Sequence, residues 1–215
     1  TEKQRLNEKM AKECDTIVAG LYEYLAIYKP LFPQKTEFIP FPIVCDDDTP
    51  TIEFHKDGEP LKIFIGINKS RSAYKGTDIM LKAAKEVESK YPDKLKLTVV
   101  ESVPFDEYRK LMMSCDAIVD QLYSYTPSMN PLEAMSHGLI CIGGGEPENY
   151  EVLNETELRP IVNVEPTFES VYSQIENMVL HPENISTMQR QSIEYIRKHH
   201  DYIKVAKQYE KLYMK

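Results

Sequence analysis

The sequence of 215 residues has no basic excess: 26 lysines and arginines face 34 aspartates and glutamates, giving a net charge of −8 and a pI near 5.3. General nucleic-acid binders draw their phosphate affinity from a broad lysine and arginine surface, so no nucleic-acid partner is expected. Long apolar runs are also missing. Stretches such as 117–119 and 139–142 fall far short of the ~20 residues that cross a bilayer. No signal-peptide pattern opens the chain, and a cytoplasmic protein is expected. The four cysteines, Cys14, Cys45, Cys115 and Cys141, form no CxxC pair and each borders an apolar segment, so buried reduced thiols are expected. The five histidines lack metal-ligand spacing: His199 and His200 are adjacent and diverge by ~100° on a helix, unlike ligands at i and i+4. Asn68, Asn154 and Asn184 head Asn-x-Ser/Thr tripeptides, which matter only in a secreted chain.

What is present is an ordinary globular composition, 42% hydrophobic and 28% charged, with room for one large domain or one domain plus part of another. From residue 61 onward, short apolar runs alternate with helix-period segments. Candidate strands lie at 62–67, 96–101, 117–122, 139–142 and 161–164, each continuously apolar, as in strands covered on both faces. Between them, 77–91 places Ile79, Met80, Ala83, Ala84 and Val87 on one helical face, and 105–114 lines up Phe105, Tyr108, Leu111 and Met112. This βαβα order predicts an α/β fold with a doubly wound parallel sheet and right-handed crossovers. Three helices, at 168–180, 185–198 and 202–213, are expected to form a helical C-terminal tail.

Residues 1–44 carry six basic and six acidic residues and read as a helix, a strand at 16–19, a helix at 21–31 and a strand at 38–44. Residues 45–61 hold six acidic residues against Lys56, with Pro50, Gly58 and Pro60, which marks a boundary or linker. Asp46 and Asp48 resemble a metal-binding Asp-x-Asp pair, but the 45 residues before them cannot supply the nucleotide-binding half such a site needs. A short echo between 13–18 and 114–119, each a helix end running into a strand, fits one whole α/β domain preceded by the closing βαβ piece of a similar one.

In doubly wound sheets, ligands bind at the carboxyl ends of strands, where helix N-termini attract anions. Two segments fit that place. Between Pro60 and Thr77 stand four basic residues, Lys62, Lys69, Arg71 and Lys75, and no acidic one. Such charge at a strand-to-helix turn suits a diphosphate, Arg acting as a planar fork and Lys as a point charge, although a solvated basic loop accounts for the charge equally well. After the strand at 117–122, Asn130, Pro131 and Glu133 read as N-cap, first and third helical positions, a capping box that gives Glu133 a structural role favoured on spacing alone.

At these two segments the sequence resembles the C-terminal, donor-binding domain of retaining GT-B glycosyltransferases of the group 1, family 4-like class. Gly66, Arg71 and Lys75-Gly76 are similar to that family's G-R-K-G element. Residues 132–138, Leu-Glu-Ala-Met-Ser-His-Gly, followed by the strand at 139–142 and Gly143-Gly144-Gly145, are similar to its L-E-A-M-A-x-G-x-P-V-I-x-x-x-x-G-G block. The resemblance covers residues 61–200, and residues 1–44 look like the tail of the family's N-terminal domain.

The resemblance implies a Rossmann-like GT-B domain at 62–215, an acidic linker at 45–61, and a remnant of the acceptor-side domain at 1–44. It implies that Arg71 and Lys75 stabilise the leaving diphosphate, that Gly66, Val103, Tyr125, Ser128, Met129 and Asn130 surround the donor, and that Glu133 accepts from the ribose hydroxyls. Hexosyl transfer from a nucleoside-diphosphate sugar with retention, in cell-surface polysaccharide synthesis, would follow, with no metal and no cofactor. A glycan or lipid-linked acceptor would bind through a missing N-terminal domain, and a full-length protein has room for peripheral membrane contact. The isolated chain is expected to bind donor without transferring it. Two departures stand out. The family's E-x7-E motif places its first Glu where this chain has Tyr125, leaving Tyr125 or Gln121 to substitute, and Ile67 follows the strand glycine, so Lys69 competes with Arg71. A sugar-nucleotide epimerase and a non-catalytic nucleotide-binding module are the alternative readings.

Overall fold

The computed structural model describes residues 1–46 and 48–214; Asp47 of the acidic segment, Lys215 and the side chain of Lys69 lie outside the described residues. The chain opens with α1 (Glu2–Glu13), capped where Thr1 Oγ1 accepts from Gln4 N at 3.3 Å. Strand β1 (Ile17–Ala19), helix α2 (Tyr22–Leu31) and strand β2 (Thr36–Phe38) follow as a parallel βαβ unit, with Ile17 beside Thr36 and Ala19 beside Phe38. The second strand ends at Phe38 instead of extending over 38–44. Pro40 and Pro42 have no N–H to give a ladder, which ends the pairing. The chain instead runs extended to Ile43, whose N–H donates to His200 O at 2.7 Å and whose carbonyl accepts from Tyr202 N at 3.1 Å.

The second unit holds a five-stranded parallel sheet. Its elements in chain order are β3 (Leu61–Ile67), α3 (Ser72–Lys75), α4 (Thr77–Lys90), β4 (Leu95–Glu101), α5 (Phe105–Met112), β5 (Ala117–Val119), α6 (Met129–Ser136), β6 (Ile140–Gly143), α7 (Pro147–Glu151) and β7 (Val162–Asn163). The helices α8 (Phe168–Leu180), α9 (Ile185–His199) and α10 (Tyr202–Tyr213) complete the chain. The strand order is β4-β3-β5-β6-β7, the doubly wound arrangement that strict βα alternation predicts.

Alternation along β3 divides the core. Ile63 and Ile65 pack with Met80, Ala83, Ala84 and Val87 of α4 and Val171 and Ile175 of α8. Phe64, between them, packs on the other face with Val100, Met112, Ile118 and Ala134. All three β3 residues are fully buried, each worth about 1.5–3 kcal/mol of hydrophobic stabilisation. A third cluster joins Leu132 and Met135 of α6 to Tyr195 and Ile196 of α9, and takes in Ile43 and Cys45 from the connecting segment. That segment is also held by Ile52 N, which donates to His137 O at 2.8 Å, and by His55 N, which donates to Gln189 Oε1 at 2.9 Å. Helices α8 and α9 coat the sheet, whereas α10 buries only Val205. Cys45, Cys115 and Cys141 are buried free thiols.

Candidate functional site

The strand order reverses between β3 and β5, and a cavity of about 270 Å³ opens there at the carboxyl ends of β3, β4 and β5. From β3 it takes Gly66, where a Cβ would lie 2.7 Å from the Tyr108 hydroxyl. Glycine thus lets Tyr108 close one wall, with its ring edge-on to Phe64 at 4.8 Å and its hydroxyl accepting from Asn130 Nδ2 at 2.8 Å.

After β3, Asn68 Oδ1 accepts from Ser70 N and Oγ, folding the basic segment into a tight turn. Gly76 ends α3 in the left-handed region (φ 69°), and a Cβ there would meet Leu122 Cβ at 2.6 Å. Leu122 N donates to Lys75 O at 2.7 Å, locking this turn to the loop after β5. Lys75 consequently lines the cavity, while Arg71 stands exposed and lines neither this cavity nor its neighbour.

From the end of β4 come Ser102 and Val103, with Ser102 at φ 55°, a conformation that non-glycine residues seldom adopt. From the end of β5 comes Asp120, a buried carboxylate that accepts from Ser128 N at 3.1 Å and Ser128 Oγ at 2.9 Å. Burial pushes its carboxyl above the ordinary value despite these bonds and the nearby Lys75 charge. Sequence reasoning passed over Asp120; the signal was an acid at the end of an apolar strand.

Helix α6 begins two residues earlier than the Asn-Pro signal suggests. Ser128 is its N-cap and Met129 its first residue, so Asn130 and Glu133 stand at the second and fifth helical positions and the capping box does not form. The Ser128 N–H, expected at the donor, is taken by Asp120. The N–H groups of Met129 and Asn130 have no intrahelical acceptor and sit at the positive end of the helix. Glu133, free of a capping role, stands 3.6 Å from Arg109 Nε, both side chains partly exposed.

A second cavity of about 690 Å³ adjoins the first, with Asn130 lining both. Met129, Glu133, Phe105 and Arg109 line it on one side and residues of the 42–50 segment on the other. Gly66, Lys75, Val103 and Asn130 are thus gathered in the smaller cavity, and Met129, Asn130 and Glu133 in the larger. Ser128 and Tyr125 line neither. Tyr125 is exposed, its ring 5.4 Å from Tyr22 and its N–H donating to Glu23, a carboxylate that sequence reasoning missed. The glycine run after β6 seats this loop: a Cβ on Gly144 would fall 2.0 Å from Ser124 O. Among the described residues, no three His, Cys, Asp or Glu side chains are grouped to hold a metal ion, and no helix is long and apolar enough to cross a membrane.

A five-stranded parallel sheet with cavities at its switch point defines a Rossmann-like domain of the GT-B type. Residues 67–211, well over half of the chain, match the family described as glycosyl transferase-like, and the chain belongs to that family. No curated protein matches it. Among solved structures it is similar to sucrose-phosphate synthase from Thermosynechococcus elongatus, at 14% identity and TM-score 0.71, covering 100% of this chain and 61% of that one. It is similar to TarM, at 11% identity and TM-score 0.70 over 99% of this chain and 46% of that one. It is also similar to Anabaena HepE in complex with UDP-glucose, at 13% identity and TM-score 0.68 over 96% of this chain and 65% of that one. The chain therefore spans about half to two thirds of the length of these proteins, and at such identities the likeness is one of fold.

Proposed function

We propose that the chain binds the nucleoside-diphosphate-sugar donor of a glycosyltransferase. The observation that carries this reading is the convergence of Lys75 and the α6 N-terminus on one switch-point cavity, with the Glu133 carboxylate in the cavity adjoining it. The diphosphate lies against Lys75 and the N–H groups of Met129 and Asn130, a point charge and a helix N-terminus that both favour anions. Glu133 turns from Arg109 to the ribose diol, two acceptor oxygens meeting two hydroxyls. Gly66 and Val103 border the nucleotide. In transfer, charge grows on the departing diphosphate, and preorganised donors at that point lower the barrier without a metal or cofactor. Arg71, one helical turn from Lys75 and exposed, joins only by swinging its side chain inward.

The finer reading is a retaining hexosyltransferase of cell-surface polysaccharide synthesis, acting in the cytoplasm on a glycan or lipid-linked acceptor held by an N-terminal domain. The neighbour HepE, in complex with UDP and glucose and with UDP-glucose, supports the nucleotide-sugar donor in this reading. The test is thermal stabilisation by UDP, GDP and ADP and their glucose conjugates, since a ligand that binds only the folded state raises the melting temperature. One of the six should raise it by several degrees at 100 times its Kd. Absence of a shift with all six at millimolar concentration overturns the donor-site reading, and robust transfer by the 215-residue chain alone overturns the division of labour between domains.

A further inference from the structure

Glu23, in the first turn of α2, reaches out of the first βαβ unit to the loop after β5. Its Oε1 accepts from Ser124 Oγ at 2.7 Å, Tyr125 N at 2.7 Å and Thr126 N at 3.2 Å, and its Oε2 accepts from Thr126 Oγ1 at 2.7 Å. Consecutive backbone N–H groups turned on one anion make a nest. Burial alone would raise the Glu23 carboxyl, but the hydrogen bonds from Thr126, its own backbone, Ser124 and Tyr125 outweigh it and hold the group below its ordinary value. The Tyr22 ring adds an apolar contact to Tyr125 beside the nest.

The loop so gripped is the one that delivers α6 to the cavity. Within the second unit it is held where Leu122 N donates to Lys75 O, where Ser128 donates twice to Asp120, and where Glu146 N donates to Tyr125 O at 3.3 Å above the close-packed Gly144. A further hold is Glu23, which comes from the other structural unit. Without it, Tyr125 N and Thr126 Oγ1 lose their acceptor, Ser124 Oγ keeps only Thr126 O at 2.6 Å and Thr126 N only Ser124 Oγ at 3.4 Å, both inside the loop, and residues 124–128 exchange one arrangement for many. A ligand that needs Met129 and Asn130 in one place must then order the loop as it binds, so its apparent affinity falls by the fraction of time the loop is correctly formed.

We infer that Glu23 is a positioning residue of the donor site, supplied by the first βαβ unit, which sets where the α6 N-terminus stands in the cavity. This rests on the donor-site reading above, and Glu23 touches no ligand itself. The sequence separation of 101 residues between Glu23 and Ser124 makes the first unit part of the site's architecture rather than an appendage to it.

The experiment uses the full chain and the diphosphate conjugate that stabilises it most. Affinity is measured by calorimetry for wild type, Glu23→Gln, Thr126→Val and the double variant, with melting temperatures and amide hydrogen exchange over residues 124–130. Glu23→Gln is expected to raise Kd about tenfold and to speed exchange at Tyr125 and Thr126, with a melting temperature within a few degrees of wild type. Thr126→Val removes one of the same bonds from the other side, so it should weaken binding less, and the double variant should bind no worse than Glu23→Gln alone. A folded Glu23→Gln with unchanged Kd overturns the inference, as do strictly additive effects of the two substitutions. If Glu23→Gln fails to fold, an unchanged Kd in Thr126→Val does the same. A wild-type chain that binds none of the diphosphates overturns the underlying reading instead.

Discussion

Lys75 and Arg71 are four residues apart, yet only Lys75 enters the cavity, because Gly76 turns the chain and Leu122 takes the Lys75 carbonyl. A hydrogen bond to a charged partner is worth about 1.5–3 kcal/mol, so Lys75→Ala should weaken nucleoside-diphosphate binding about 10- to 100-fold by calorimetry, and Arg71→Ala far less. Equal losses would show that Arg71 swings in on binding. Glu133→Gln separates a second role. Because Glu133 caps nothing and its contact with Arg109 is partly exposed, the melting temperature should hold while nucleoside affinity drops about tenfold. Lys75 and Glu133 were legible as residues of a basic turn and a strand-helix junction. Glu23 was not: its partners lie more than 100 positions away, and local patterning carries no trace of such a contact.

At the scale of elements, hydrophobic patterning located every strand of the large sheet and the helices α4, α5, α8, α9 and α10, and it was plainest in β5 and β6, where burial on both faces leaves an unbroken apolar run. Ends were less legible. The strand expected at 117–122 stops at Val119, where Asp120 turns inward to take the Ser128 donors, and the short α7 rests on tertiary contacts of Asn149 and Tyr150 with Tyr195 rather than on any periodic signal. The start of α6 was misplaced because Asn-Pro mimics a cap, while the real cap, Ser128, is chosen by Asp120. The glycines at 143–145 answer to packing as well. Gly144→Ala puts a methyl group into the Ser124 carbonyl, a backbone atom that cannot step aside, and should destabilise by about 2–3 kcal/mol. Urea unfolding at unchanged slope would report it, and a loss under half that size would show that the loop yields.

For the whole molecule, acid stability draws on two buried groups at the corner where α9 ends, in addition to the carboxylates Glu23 and Asp120 described above. His200 donates through Nδ1 to Phe41 O at 3.0 Å and is held, chiefly by burial, down to about 4 from its ordinary 6.5. The unfolded chain therefore takes up this proton more readily, and the stability it confers is complete above about pH 6.5 and drains away as the pH falls towards 4. His200→Gln should remove a loss on the order of 3 kcal/mol across that window in chemical unfolding curves. Glu155 acts lower down. Burial would raise its carboxyl, but hydrogen bonds from His199 and Lys198 and from the N–H groups of Glu157 and Leu158 depress it, so its contribution is present above the ordinary 4.5 and lost below it. His199 is itself lowered by burial, which leaves Lys198 as the cationic partner at neutral pH.

The same corner also ties the connecting segment down. Ile43, between the first unit and the second, lies beside Asp201 and is joined to the residues flanking it by hydrogen bonds from Ile43 N to His200 O and from Tyr202 N to Ile43 O. A connecting segment held at one bond would be a swivel, free to twist about its own length. Held through both its N–H and its carbonyl, Ile43 acts as a clamp against that twist, and the same fastening favours the placement in which Glu23 meets Ser124, Tyr125 and Thr126.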